Sequence, residues 1–129
     1  MRAIDTNVII RLLTADDPVQ AEAAKRVIQE GEVFVGVTVL LEAEWVLRAG
    51  YGFGEREIAS ALRGLAGLAQ VTIEDAEGVA MALDWMISGM DFADALHLAR
   101  SQHCSAFVTF DRRLASRAKG LAPTSVVMP

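Results

Sequence analysis

Apolar residues recur along this chain in two alternating rhythms, short unbroken runs that suit buried strands and longer stretches at helical spacing. Ala3 and Ile4 form the first short run, and Val8, Ile9, Leu12 and Leu13 follow at helical spacing, with Asp5 at the corner between them. Thr6 and Asn7 can cap that helix. Asp16-Asp17-Pro18 starts a second helix, whose stripe of Ala21, Ala24, Val27 and Ile28 runs to about Glu30 before Gly31 ends it. Glu32 to Gly36 reads as a second strand, and Thr38 as the cap of a helix reaching about Leu47. Gly50 to Gly54 is a loop without the spacing of a phosphate-binding turn. A helix from Glu55 to Leu65 and a strand from Gln70 to Ile73 come next.

Glu74 and Asp75 lead into a helix with Val79, Ala80, Leu83 and Ile87 on its core stripe. Met81 and Trp85 lie off that stripe, either as ordinary packing or as a subunit interface, where Trp and Met are enriched. Gly89-Met-Asp91 opens a helix that buries Phe92, Ala95, Leu96 and Ala99. A strand at Ser105–Val108, a helix from Asp111 to Lys119 and a strand at Thr124–Val127 complete the chain. Strands alternating with helices predict an α/β fold with a parallel sheet covered on both faces.

At 129 residues and 53% hydrophobic, the chain can bury roughly two thirds of its unfolded surface, so a single domain over residues 1–129 is expected. Cys104 is the only cysteine. It cannot form an intrachain disulfide, is expected to be packed, and fits a reducing cytosol. No signal segment opens the chain and no apolar run approaches the roughly 18 residues needed to span a bilayer, so a soluble cytoplasmic protein is expected. The net charge of −5 argues against a non-specific nucleic-acid coat, which needs excess Lys and Arg. It leaves room for a nuclease that holds divalent cations on carboxylates, because the cations reverse the local field.

Four acids stand out by position. Asp5 ends a strand, either as a helix cap or as a ligand-binding group at the carboxyl edge of the sheet. Glu42 and Glu44 lie in a helix apolar on nearly every side, where an ionised carboxylate must be paired or metal-bound. They are about 200° apart around the helix, and periodicity does not choose between them. Asp91 reads as an N-cap, and Asp94, three residues on, either complements the helix dipole or serves a site. Asp111 repeats the strand-end geometry of Asp5, with Thr109 as a polar neighbour. If their strands are neighbours, Asp5 and Asp111 emerge on one edge of the sheet.

Ile4-Asp5-Thr6-Asn7-Val8, Thr38-x-x-x-Glu42 followed by Trp45-Val-Leu, Asp91-Phe-Ala-Asp94-Ala-Leu-His97, and Thr109-Phe-Asp111 resemble, in order and spacing, the PIN-domain ribonucleases, specifically the VapC toxin type. The resemblance implies a three-layer α/β/α sandwich around a central parallel sheet. It also implies a Mg²⁺- or Mn²⁺-dependent endoribonuclease, a homodimer, and a small antitoxin encoded nearby. On the family pattern Asp5, Glu42, Asp94 and Asp111 are the catalytic and metal-holding acids, with Asp91 a cap or an outer partner. Leu114 departs from the aromatic often seen after the last acid.

Carboxylates suit such chemistry because hard divalent cations prefer oxygen, and a bound cation activates water and neutralises phosphoryl charge. His97 and His103 point to different helical faces and are not expected to share a metal. Arg112, Arg113, Arg117 and Lys119 make the last helix locally positive, as a solvated face, as support for the helix end, or as contacts to RNA phosphates. A phosphorelay receiver is a poor alternative, since it requires an acidic pair at the first strand and a late Lys after a strand. A non-catalytic binding module of PIN shape is the other.

Overall fold

Parallel strands cannot be joined by tight turns, and this chain places helices in each connection. A computed structural model describes residues 1–129, and its contacts divide the chain into two compact units, Met1–Ala76 and Glu77–Pro129. The first contains β1 (Arg2–Ala3), α1 (Thr6–Thr14), α2 (Pro18–Gln29), β2 (Val33–Val35), α3 (Val37–Trp45), α4 (Glu55–Ala66) and β3 (Val71–Ile73). Its three strands are parallel in the order β1-β2-β3, with Arg2 opposite Val33 and Phe34 opposite Thr72. In the second, α5 (Ala76–Ile87) and α6 (Phe92–Ala99) precede β4 (Ala106–Val108), α7 (Arg112–Ala118) and β5 (Ser125–Val127). β4 and β5 form a parallel pair with Val108 opposite Val127. The class is α/β with parallel strands, as expected, and β1 and β4 belong to different sheets.

In the first unit the alternation of strands explains the core. Val33 and Val35 are fully enclosed, together with Ile9, Leu40, Leu47, Ile58 and Leu62 from the covering helices. β1 starts one residue earlier than expected; Ala3 is exposed and Ile4 is buried. Pairing nevertheless continues past the strand, because the Ile4 N–H donates to the Phe34 carbonyl at 3.1 Å.

Helix starts in this unit draw on acids. Asp17 accepts the Gln20 N–H at 3.1 Å, and Glu57 accepts the Gly54 N–H at 3.1 Å. α3 is different, because Gly36 occupies its cap position and has no side chain to offer. Its first N–H, from Val37, is taken at 2.9 Å by a carboxylate oxygen of Glu74, which lies just past β3. Thr38, the expected cap, is exposed within the first turn instead. Glu74 does not open the next helix either; its own N–H extends the ladder to the Val35 carbonyl at 2.9 Å. α3 runs on into a π-helical turn over Val46–Gly50, longer than its apolar pattern indicates.

The end of α1 is fixed by a polar cluster. Ala15 adopts the left-handed conformation at φ 52°, and Asp16 then accepts hydrogen bonds from Arg11 Nη1 (2.9 Å), Thr14 Oγ1 (3.0 Å) and the Tyr51 hydroxyl (2.7 Å). The Tyr51 hydrogen bond, followed by those of Thr14 and the Arg11 charge, holds the Asp16 carboxyl below the usual carboxylate range.

In the second unit Trp85 is buried with Val79, Ala82, Leu83 and Met86, whereas Ala80 is exposed. The helix therefore presents a broader face than the expected stripe, and Trp85 is core packing rather than an interface side chain. Gly89, at φ +109°, makes a turn that L side chains rarely adopt, and its carbonyl accepts a hydrogen bond from Arg117 of α7. Arg117 is thus committed within the fold. Cys104 is exposed in the turn before β4, not packed as expected. No helix is long and apolar enough to cross a membrane.

Two outcomes test these assignments. Replacing Glu74 with Ala removes the acceptor that caps α3 from just beyond β3, and should lower stability by about 1 kcal/mol, seen as a fall of a few degrees in melting temperature. Because folding depresses the Asp16 carboxyl, its stabilising contribution is present above the ordinary carboxyl pKa and is lost as pH falls through the depressed value. Asp16→Asn should accordingly be less stable than the parent at neutral pH, with the gap closing in acid titrations; an unchanged gap at low pH would reject the linkage.

Candidate active-site carboxylates

The strand-to-helix corner at β1 puts Asp5 at the N-cap of α1, where its Oδ1 accepts the Thr6 N–H at 2.8 Å. A capping side chain ordinarily reaches the amides two or three positions on, so Asp5 satisfies the helix only in part. Its carboxylate is exposed. The next residue, Thr6, is 4% exposed, and its Oγ1 has no hydrogen-bond partner. A buried hydroxyl left this way costs roughly 1–3 kcal/mol. Asp5 and the orphaned Thr6 oxygen thus place under-used oxygens at the start of α1, which packs against α3.

α3 separates its two glutamates as their angular offset requires. Glu44 is turned inward and is 3% exposed, while Glu42 is exposed. The buried one has its explanation in Arg48 of the following π-helical turn, whose Nε lies 2.9 Å from Glu44 Oε2 and whose Nη2 lies 3.4 Å from Oε1. Burial of Glu44 against the half-exposed Arg48 identifies it as structural, since the enclosed carboxylate would be left uncompensated without that partner. Glu42 carries no such commitment.

In the second unit three acids gather around the start of α6 and the end of β4. Asp91 caps α6, its Oδ2 accepting the Asp94 N–H at 3.2 Å, as the sequence suggests. Asp111 caps α7 more fully, with Oδ1 taking the N–H groups of Arg113 (2.9 Å) and Leu114 (3.2 Å). Its own N–H donates to Thr109 Oγ1 at 3.0 Å, so Thr109 fixes the corner from which Asp111 projects. Asp94 caps nothing. Burial, then the charge of Asp91, then that of Asp111 push its carboxyl above the ordinary carboxylate value, with His97 opposing them. The structure therefore brings Asp94, Asp91 and Asp111 within electrostatic reach of one another. His97 itself is exposed, and Leu114, at the position of the family's frequent aromatic, is buried at 4%.

Within neither unit do three Asp, Glu, His or Cys side chains close on one point as a metal-binding group. The chemistry of the donors still fits a hard divalent cation. Asp5, Glu42, Asp94 and Asp111 offer carboxylate oxygens, and Asp94 sits where a neighbouring positive charge would relieve the repulsion it bears. Sequence reasoning read Thr6 as a helix cap and Glu74 as the lead into a helix, whereas Thr6 Oγ1 caps nothing and Glu74 caps α3; it passed over the exposed Phe110 beside Asp111. Only Phe110 carried a readable signal, as an aromatic between two polar residues at a strand end.

A raised carboxyl pKa in the folded state means that the contribution of Asp94 to stability is greatest below the ordinary carboxyl value and is lost as pH rises through the raised one. Asp94→Asn should therefore melt at a higher temperature than the parent at neutral pH in a chelating buffer. The two should converge in acid, and a variant less stable than the parent at neutral pH would refute the electrostatic reading.

No curated protein and no solved structure matches the chain. A family model does: that of the PIN domain matches residues 3–120, from the first strand through the last helix. PIN domains are generally nuclease domains, typically metal-dependent, and a match over so much of the sequence means that this chain belongs to the PIN-domain family.

Proposed function

We propose that the chain is a single-domain endoribonuclease dependent on Mg²⁺ or Mn²⁺, and that Asp5, Glu42, Asp94 and Asp111 hold the cation, directly or through water. One observation carries the reading: Asp94 is a half-buried carboxylate that caps no helix and has its ionisation opposed by burial and by two neighbouring acids. A carboxyl whose ionisation is opposed in this way serves the fold poorly as an anion and would be relieved by a cation. Bound Mg²⁺ or Mn²⁺ supplies an activated water and neutralises charge on the phosphoryl oxygens. The chain's part is to set the acids. Asp111 is held by its cap bonds and by Thr109, Asp94 by Asp91, and Asp5 by the Thr6 amide.

The finer role follows from the motifs. Asp5-Thr6-Asn7, Thr38 to Glu42 with Trp45, Asp91 to His97, and Thr109 to Asp111 stand in the order and spacing of the VapC toxins. On that likeness the protein acts as the toxin of a toxin-antitoxin pair, as a cytoplasmic homodimer restrained by a small antitoxin encoded beside it, with RNA as substrate.

Purified protein free of any partner should cleave a mixed RNA pool when Mg²⁺ or Mn²⁺ is present and stop when it is chelated. Asp5→Asn should reduce cleavage on the order of a hundredfold, as loss of one preorganised charge contact does elsewhere. The cations should also raise the parent's melting temperature, with most of that increment missing from Asp5→Asn. Equal cleavage by parent and variant would point to a contaminating nuclease and overturn the assignment.

A further inference from the structure

Phe110 is 83% exposed, the most exposed large apolar side chain of the protein, whereas Phe92 is buried and Phe34, Phe53 and Phe107 are at least partly so. Its position is fixed on both sides. The Thr109 N–H donates to the Val127 carbonyl at 3.0 Å, and the Asp111 N–H donates to Thr109 Oγ1 at 3.0 Å. The ring is therefore presented to solvent from a backbone that is already ordered, which reduces the entropy lost on binding.

Its surroundings are polar and charged. Asp111 follows directly, and Arg112 and Arg113 come next, both exposed and neither in an ion pair. In an acidic protein, two unpaired guanidinium groups beside an exposed aromatic are a local reversal of sign. Phe and Arg are enriched in protein interfaces too, but a ring next to two unpaired guanidinium groups beside acids of a nuclease family is the combination that surfaces for single-stranded nucleic acid use, a stacking face with cations that follow the backbone. Val108 and Val127, exposed across from each other on β4 and β5, add apolar area but no stacking face.

We propose that Phe110 stacks on a base of single-stranded RNA next to the phosphate to be cut, and that Arg112 and Arg113 take the flanking phosphates. The inference rests on the nuclease reading of the neighbouring acids and adds to it the side chains that hold the substrate strand, with a base free to meet the ring. Stacking tolerates any base, so the contact sets strand state more than sequence.

The test uses the full chain. Binding of a labelled, unstructured oligoribonucleotide is followed by fluorescence anisotropy in an Asp5→Asn background with Mg²⁺, and cleavage kinetics are measured with Asp5 intact. Phe110→Ala and Phe110→Leu should both weaken binding about tenfold, and Phe110→Trp should restore it. In cleavage, the Ala variant should raise KM while kcat stays within about twofold. The Arg112→Ala, Arg113→Ala double variant should flatten the dependence of log affinity on log salt by about 1.4. Because Phe110 is exposed, melting temperatures should be unchanged across the series.

Leu binding as well as Phe would show that the site needs apolar bulk, as a protein-docking side chain does, and would overturn stacking. An unchanged KM in Phe110→Ala, with the parent still cutting RNA, would overturn this inference alone. A parent that neither binds nor cuts RNA would remove the nuclease reading first, and this inference with it.

Discussion

Amide groups at the start of each helix have no partner within the helix, and that requirement organises this chain more than any other. Carboxylates answer it at α1, α2, α3, α6 and α7, through Asp5, Asp17, Glu74, Asp91 and Asp111. Since helices begin where strands or turns end, the same requirement draws negative charge toward the carboxyl ends of strands. In one case the acid is borrowed. β2 runs directly into α3 through a glycine, so the carboxylate comes from beyond the adjacent β3. Capping would therefore compete with the proposed cation for the same oxygens, and the two uses are separated by asking which oxygens the fold leaves idle.

By that measure the acids divide. Glu44 is fully committed to Arg48, whereas Asp91 gives one oxygen to the Asp94 amide and keeps the other outside the cap. Asp111 uses one oxygen twice and has a second oxygen outside the cap. Asp5 satisfies only the first amide of its helix, beside a threonine hydroxyl that satisfies nothing. Asp94 is the limiting case: nothing in the fold uses its carboxylate, and its neighbours oppose the charge. An arrangement that lowers stability without serving packing is the physical mark of a group kept for chemistry.

Much of this was legible in the sequence, for identifiable reasons. The helices and strands could be read because apolar spacing changes sharply between the two periods, as from Ala3-Ile4 to Val8-Ile9-Leu12-Leu13. Asp17 and Asp91 could be read as caps because capping is local. What escaped was non-local. Thr38 looks like the cap of α3 only while Glu74 is unknown, and no local rule links residues 37 apart. Trp85 fell off the expected stripe because α5 buries a wider face than one row of positions. The choice between Glu42 and Glu44 escaped for another reason: Arg48 stands four residues after Glu44, a local spacing that could have been read as its partner, and the structure shows that it is.

The overall charge of −5 sets a last constraint on any contact with RNA. Long-range attraction cannot supply the affinity, and at physiological salt charges beyond about 8 Å are largely screened in any case. Binding must then come from groups that touch. A stacking ring contributes without regard to net charge, and two guanidinium groups beside it need only reach the nearest phosphates. Such an interface favours a short footprint and a shallow salt dependence over the broad electrostatic grip of a basic nucleic-acid coat. Acidic composition and RNA chemistry are compatible on those terms, because on the proposed reading the acids would act through a cation while Phe110, Arg112 and Arg113 would hold the strand.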